Sequence, residues 1–398
     1  MQKPLMFLLL LIIPYLSYAI SNYQYYTTGG LLIPMEKTDI SLRKVFISMK
    51  KITTTAGNRQ MQVTVCYQFY NPSPSCRLVV AYETPSPQWD ERPAGITLKK
   101  GNPYLHNFSL IINNLPLQYQ VAITGAEEVK GSYYRQGRVE TLPSSLINKL
   151  DETNRHTPEI NYIYYADMPF IQGINTVENS WICDLPSYNI FELTYDFAFS
   201  ATPLWKGGRI GDFTINLDMG DDEVFVIYKT FFKHPADWVI KGIGNKRSNY
   251  FEADGDKYSD EAGKVIQFYI KNGTIKFHKT NFKPTEDFFL ASFTTHTLLG
   301  TGLDFDYRKE KELDHRTATS GFWKQDKTIG EQISKLDDVS KEILRNLPYA
   351  CRGYIFSDTV IQEYYQRQVW YMPNKNYKID FTSFSANEKE WIGLYTTQ

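Results

Sequence analysis

Histidine and cysteine are scarce in this sequence, and neither is arranged for chemistry. The six histidines, His106, His156, His234, His278, His296 and His315, form no His-x-His and no His-Glu-x-x-His. The four cysteines, Cys66, Cys76, Cys183 and Cys351, include no Cys-x-x-Cys. A zinc site legible in sequence needs such clustering, so no metal site is expected. No Gly-x-Ser-x-Gly elbow and no phosphate-binding loop is present either. Gly242-Ile243-Gly244 opens like a dinucleotide-binding loop, but Arg247 stands where the third glycine belongs and no helical pattern follows. No catalytic residue and no cofactor is assigned.

A net charge of one sign is also lacking. The chain has 43 basic and 44 acidic residues, a balance that recruits neither nucleic acid nor an anionic membrane. Two acidic groupings stand out. Glu252, Asp254, Asp256 and Asp260 are spaced like calcium ligands, but Lys257 occupies the glycine position of an EF-hand loop starting at Glu252. Starting at Asp254, Tyr258 occupies a ligand position. Asp218, Asp221 and Asp222 read as a solvated turn between strands.

Long apolar runs are confined to the beginning. Lys3 supplies a positive start, residues 5–13 are apolar, Pro14 breaks the run, and Ser17-Tyr18-Ala19 offers small residues for cleavage after Ala19. The run is short for a membrane span. A secretory signal peptide is therefore expected at 1–19, with an extracytoplasmic product that has no transmembrane segment. An uncleaved anchor is the competing reading. Export would permit disulfides. Four cysteines allow three complete pairings, and none is selected. Cys66 and Cys76 flank a turn at 71–75 that would leave their sulfurs several residues apart along a hairpin, too far to bond.

What the chain has in abundance is aromatic residues, 29 Tyr and 24 Phe, which suit half-buried pleated surfaces. Met61, Val63, Val65, Tyr67 and Phe69 alternate with Gln62, Thr64, Cys66 and Gln68, a strand with one wet face. Asn71-Pro72-Ser73-Pro74 stops it and residues 77–82 return. Phe191, Leu193, Tyr195, Phe197 and Phe199 alternate likewise, as do Phe213, Ile215, Leu217 and Met219. Asn272-Gly273 fits a two-residue hairpin turn that sets Ile270 opposite Ile275 and Phe268 opposite Phe277. The period changes to helical at Ile333, Leu336, Val339, Ile343, Leu344 and Leu347. Asp337 and Lys341 add an i,i+4 pair, and Pro348 should end the helix. Shorter helices are expected from Asp358 and from Ser385, where Ser385-Ala386-Asn387-Glu388 fits a capping box.

The expected fold is mainly β, two antiparallel β-sandwich-like units followed by a small α-rich C-terminal domain. The expected divisions are a β unit at 20–145, a connection at 146–186, a second β unit at 187–298, a linker at 299–329 and the helical domain at 330–398.

The helical segment resembles the YARHG domain. The residues that carry the resemblance run from Leu344 through Leu347-Pro348-Tyr349-Ala350-Cys351-Arg352-Gly353-Tyr354 to Phe356. Trp370-Tyr371, Pro373-Asn374, Tyr377, Asn387 and Glu388 follow. Cys351 and Arg352 depart from the namesake motif, which has Arg and His there. The resemblance implies an extracytoplasmic bacterial protein with a binding or accessory module. The β portion resembles a family of exported bacterial proteins of unknown function, through Gly29-Gly30-Leu31, residues 40–52, residues 192–199 and residues 281–287.

Six residues of the last domain are candidates for a binding surface: Tyr349, Arg352, Trp370, Tyr371, Tyr377 and Trp391. They could form a stacking platform for a glycan or peptide. The plainer reading is that a domain of about seventy residues needs large side chains to fill its core. Arg352 and Asp358 could equally be a buried ion pair fixing the loop after the first helix. The expectation is a non-enzymatic cell-envelope protein binding an envelope component or a protein partner. Two alternatives are an exported hydrolase of a cell-wall or glycan substrate whose carboxylates converge only in the fold, and a structural subunit of an envelope assembly.

Overall fold

The computed structural model describes residues 28–85, 97–98, 101–125, 139, 141–153, 160–185, 191–248, 265–293, 305–309 and 313–396. The expected signal peptide with its cleavage point at Ala19 lies outside these residues, as do Glu252, Asp254, Asp256 and Asp260.

The fold is mainly β with a small helical C-terminal region. The strands before the first helix are β1 (Thr28–Gly30), β2 (Ile33–Pro34), β3 (Ser41–Thr53), β4 (Arg59–Asn71), β5 (Cys76–Pro85), β6 (Leu105–Ile112), β7 (Leu115–Pro116) and β8 (Gln120–Gly125). After α1 (Ser144–Thr153) come β9 (Ile160–Phe170), β10 (Gly173–Asp184), β11 (Phe191–Ala198), β12 (Ile210–Asp218), β13 (Glu223–Tyr228), β14 (Trp238–Ser248), β15 (Val265–Phe282) and β16 (Phe288–Phe293). The helical region holds α2 (Thr317–Ser320), α3 (Ile329–Ser334), α4 (Asp338–Cys351), α5 (Thr359–Gln366) and α6 (Ala386–Leu394).

A twelve-stranded sheet follows the order β1-β11-β16-β13-β15-β12-β3-β4-β10-β6-β7, with β14 added along β15. A second sheet has the order β2-β5-β9-β8. The alternation read from sequence is what buries the core. Met61, Val63, Val65, Tyr67 and Phe69 of β4 all point inward, and so do Leu193, Tyr195 and Phe197 of β11. Each such side chain contributes roughly 1.5–3 kcal/mol on burial. Two joints tie the early strands to the later ones: β3 pairs in parallel with β12, and β1 with β11. The irregular stretch between β1 and β2 is buried, so its polar backbone needs partners. Tyr67 accepts the Leu32 N–H at 3.1 Å, and the Trp205 indole donates to the Leu32 carbonyl at 2.8 Å.

Two expectations are corrected. β4 and β5 do not form a hairpin. The turn after Asn71 carries the chain from the large sheet to the small one, where β5 pairs with β9 and β2. Leu78, Val80 and Tyr82 of β5 are buried in the core that they share with the inward face of β4. Cys66, Cys76, Cys183 and Cys351 are all free thiols.

Nor is Asn272-Gly273 a hairpin turn. It lies within the single strand β15. The first half of β15 pairs with β13 and the second half with β12, while β14 runs along its other edge. Between the two halves stands a glycine pair, Gly242 of β14 opposite Gly273 of β15. Both have positive φ, +137° and +104°. A Cβ on Gly273 would stand 2.2 Å from the Lys241 carbonyl oxygen, and one on Gly242 would stand 2.2 Å from that of Asn272. Glycine was required here for close approach as well as for its positive φ.

Gly273→Ala should therefore lower stability by well over 1 kcal/mol, the cost expected where alanine cannot adopt the native backbone. Gly57→Ala, also at positive φ but with open space around it, should cost less. Urea unfolding of the two variants checks this, and equal losses would mean that the close approach does not matter.

Candidate functional site

The helical region is organised around the last turn of α4. Pro348 does not end this helix, which continues to Cys351. A proline inside a helix supplies no N–H to the carbonyl four residues earlier, here Leu344. The Trp391 indole fills that role, donating to the Leu344 oxygen at 2.6 Å. α6 is thereby fastened across α4 at the point where the proline weakens it. Asp337 caps α4 by accepting the Ser340 N–H at 2.9 Å and pairs with Arg308.

Each residue of the Tyr349-to-Gly353 motif then has a position. Ala350 is buried against the core. The Cys351 thiol donates to the His315 carbonyl at 3.3 Å, and burial pushes its pKa up. Gly353 closes the helix at φ +81°, where a Cβ would stand 2.4 Å from the Met372 oxygen. This is a left-handed helix terminus that only glycine fits.

Arg352 makes a two-pronged ion pair with Glu388, Nη1 to Oε1 at 2.6 Å and Nη2 to Oε2 at 3.0 Å. The same guanidinium donates to the carbonyls of Pro348 and Ser383 and lies 4.2 Å from the Phe384 ring centroid. Glu388 also accepts the Ser385 N–H, completing the capping box that starts α6. Burial pushes the Glu388 carboxyl up, and the Arg352 and Ser385 hydrogen bonds outweigh it, leaving it below its ordinary value. Asp358 is not the partner of Arg352; it caps α5 through the amides of Val360 and Ile361.

The six candidates divide. Trp370, Tyr371 and Trp391 fill the core. The Trp370 indole donates to the Leu313 carbonyl at 2.6 Å and the Tyr371 hydroxyl to that of Tyr354 at 2.7 Å. Tyr349, Arg352 and Tyr377 come together near the surface. The Tyr349 ring meets Tyr354, Phe384 and Phe381 with centroids 6.2, 5.0 and 6.1 Å apart, and Tyr354 meets Tyr377 at 6.3 Å. Phe381 is 55% exposed and nearby Ile379 46%, far more open than packing requires of such side chains. The Tyr377 hydroxyl is enclosed and has no hydrogen-bond partner. The cluster is thus an aromatic surface braced from beneath by an ion pair. Phe381 and Ile379 carried no sequence signal, since exposure of an apolar residue in a loop is set by the fold.

Among the described residues no group of three metal-ligating side chains converges, and no helix is long and apolar enough to cross a membrane. The fold does bring Asp196 and Asp287 near one another, and burial raises both carboxyls. Asp287 accepts the Phe199 N–H at 2.6 Å and so has a structural task.

Replacing Arg352 with Met should cost about 3–5 kcal/mol, because it leaves the Glu388 charge buried without its partner. The Glu388 pKa is depressed in the fold, so this stability is present above the unfolded value of about 4.3 and lost as pH falls through the folded value. Unfolding of wild type and Arg352→Met at pH 7 and at pH 3 should show the gap narrowing in acid.

No curated protein matches this chain. The solved structures similar to this chain include two at low identity. One is a protein of Legionella pneumophila subsp. pneumophila str. Philadelphia 1 with a proposed nutrient-binding role, at 15% identity and TM-score 0.47, over 93% of this chain and 97% of the other. The second is a Parabacteroides distasonis ATCC 8503 protein with a proposed protease role, at 8% identity and TM-score 0.26, over 82% of this chain and 53% of the other. Residues 322–397, the segment that carries the braced aromatic surface, match the YARHG domain family.

Proposed function

We propose that this chain is an exported bacterial cell-envelope protein with a binding role, and that its YARHG domain carries the binding surface. The observation that carries the reading is the half-buried ring cluster of Tyr349, Tyr354 and Tyr377 beside the Arg352–Glu388 pair, with Phe381 and the neighbouring Ile379 exposed at its edge. Exposed aromatic and aliphatic side chains on a rigid support bind at low entropic cost, because little is ordered on association. Ring faces of this kind take sugar rings or apolar peptide side chains by stacking. The extracytoplasmic address rests on the signal-like segment at 1–19 and on the company YARHG domains keep.

The test is co-sedimentation of the full chain with washed peptidoglycan sacculi and, separately, with outer-membrane fragments. Wild type should pellet with one of them. A Phe381→Ala, Ile379→Ala double variant should bind at least tenfold more weakly, about 1.4 kcal/mol, with unchanged thermal stability. Retention of wild-type binding by the double variant would contradict this reading, and so would the absence of wild-type binding to either material.

A further inference from the structure

Three turns meet at one end of the β body, and two of them present exposed aliphatic side chains. They are the connection from β4 to β5 (residues 72–75), the β6–β7 turn (113–114) and the β9–β10 turn (171–172). Leu115, just after the second, is 69% exposed. Ile171 and Ile174, in and just after the third, are 52% and 47% exposed. Residues 70–76, 110–120 and 168–177, which contain these turns, hold no charged side chain, although 22% of the chain is charged. This end is therefore uncharged where exposed turns ordinarily carry charge.

Asparagine side chains meet the main chain of these turns from within. Asn175 is fully buried; its Oδ1 accepts the Ile171 N–H at 2.9 Å, and its Nδ2 donates to the Ile171 and Gly173 carbonyls at 2.8 and 3.2 Å. Asn71 donates to the Pro74 and Ile171 carbonyls at 3.2 and 3.3 Å and accepts the Ser73 N–H at 3.1 Å. Asn113 accepts the Thr176 N–H at 2.9 Å, and its own N–H goes to the Thr176 carbonyl at 2.8 Å. Pro72, Pro74 and Pro116 have no N–H to satisfy. Turns in water can leave such groups to the solvent, whereas turns entering an apolar phase need them met by the protein. One step behind the turns, Tyr70 stands opposite Ile174 in register, and the Arg43 guanidinium lies 4.9 Å from the Tyr70 ring centroid. An amphipathic ring and a long cationic side chain suit the headgroup level of a bilayer.

We propose that this end of the β body is a membrane-contact tip that sinks Leu115, Ile171 and Ile174 into the interfacial zone of a lipid bilayer, with Tyr70 and Arg43 at headgroup level. The inserted part is apolar, so the contact depends on the area it buries rather than on lipid charge. The tip adjoins the start of β12, since Ser41 pairs with Tyr70 and Leu42 with Ile210. The helical region meets the body beyond the other end of β12, where His315 reaches the Asp222 carbonyl. The nine residues of β12 span roughly 25 Å. The tip and the helical region thus lie at opposite ends of that strand, and the proposal does not depend on what the aromatic surface binds.

The test is flotation of the full chain with phosphatidylcholine vesicles at millimolar lipid, and with vesicles containing added phosphatidylglycerol. Wild type should float with both, and added salt should release it from neither. A variant carrying Leu115→Ser, Ile171→Ser and Ile174→Ser should bind at least tenfold more weakly, with unchanged thermal stability because all three side chains are exposed. Should that variant fail to fold, Ile171→Asp alone, which puts a charge on the tip, should produce the same loss. The Phe381→Ala, Ile379→Ala variant should float like wild type, and sacculi, which hold no bilayer, test that other surface apart from this one. Absence of wild-type flotation would overturn the proposal and leave the tip to a protein partner. Flotation of the tip variants like wild type would also overturn it, as would binding that needs the anionic lipid and vanishes in salt. Loss of flotation in the Phe381→Ala, Ile379→Ala variant would do the same, by moving the lipid contact to the helical region.

Discussion

The pair between Arg352 and Glu388 ties together everything the C-terminal domain does. Glu388 starts α6 by completing its capping box, and Arg352 sits at the end of α4 with its other N–H groups on the Pro348 and Ser383 carbonyls. One buried charge pair thereby fixes a helix end, a helix start and the loop between them. Buried ion pairs are costly unless their remaining hydrogen-bonding groups are satisfied, and here hydrogen bonds reach both carboxylate oxygens and both terminal guanidinium nitrogens. Over this support lies Phe384, and beyond it the half-buried ring of Tyr349 and the exposed ring of Phe381. A surface of large side chains keeps its shape in water only when something beneath it is rigid.

The same economy appears at Pro348. The carbonyl it leaves without an intrahelical donor is the one Trp391 uses to dock α6. A residue that breaks local helix rules thus creates the attachment point for the next element. The β body has its counterpart in Gly242 and Gly273, whose backbones approach closely where β15 passes from one partner strand to another. In each case a residue that weakens its own element allows a longer-range contact.

Much of this was legible in the sequence, for a definite reason. The inward faces of β4, β11 and β12 follow from alternation, and the caps at Asp358 and Ser385 from residues within four positions of each other. Local rules fail where a distant group supplies the missing partner. Asn272-Gly273 reads as a turn because nothing nearby announces Gly242. Pro348 reads as a stop because Trp391 lies far along the chain. Proximity in sequence offers Asp358 as a partner for Arg352, whereas the carboxylate that reaches it is Glu388, half of the capping box at Ser385. The parallel joints of β3 with β12 and β1 with β11 leave no local pattern at all. The candidate site is half legible for the same reason: composition draws attention to the aromatic residues of the last domain, but only the fold separates Trp370, Tyr371 and Trp391 in the core from Tyr349, Tyr377 and Phe381 at its edge.

The central claim is that this edge is a contact surface, and hydroxyl-radical footprinting of the full chain tests it most directly. Oxidation of Tyr349, Tyr354 and Phe381 would be followed with and without washed envelope fragments, with Tyr119 of the β body, 37% exposed, as the internal control. The account predicts that the first three become protected while Tyr119 does not. Protection of Tyr119 alone, or no change at Phe381 when the chain is bound, would contradict it and move the contact to another face of the protein.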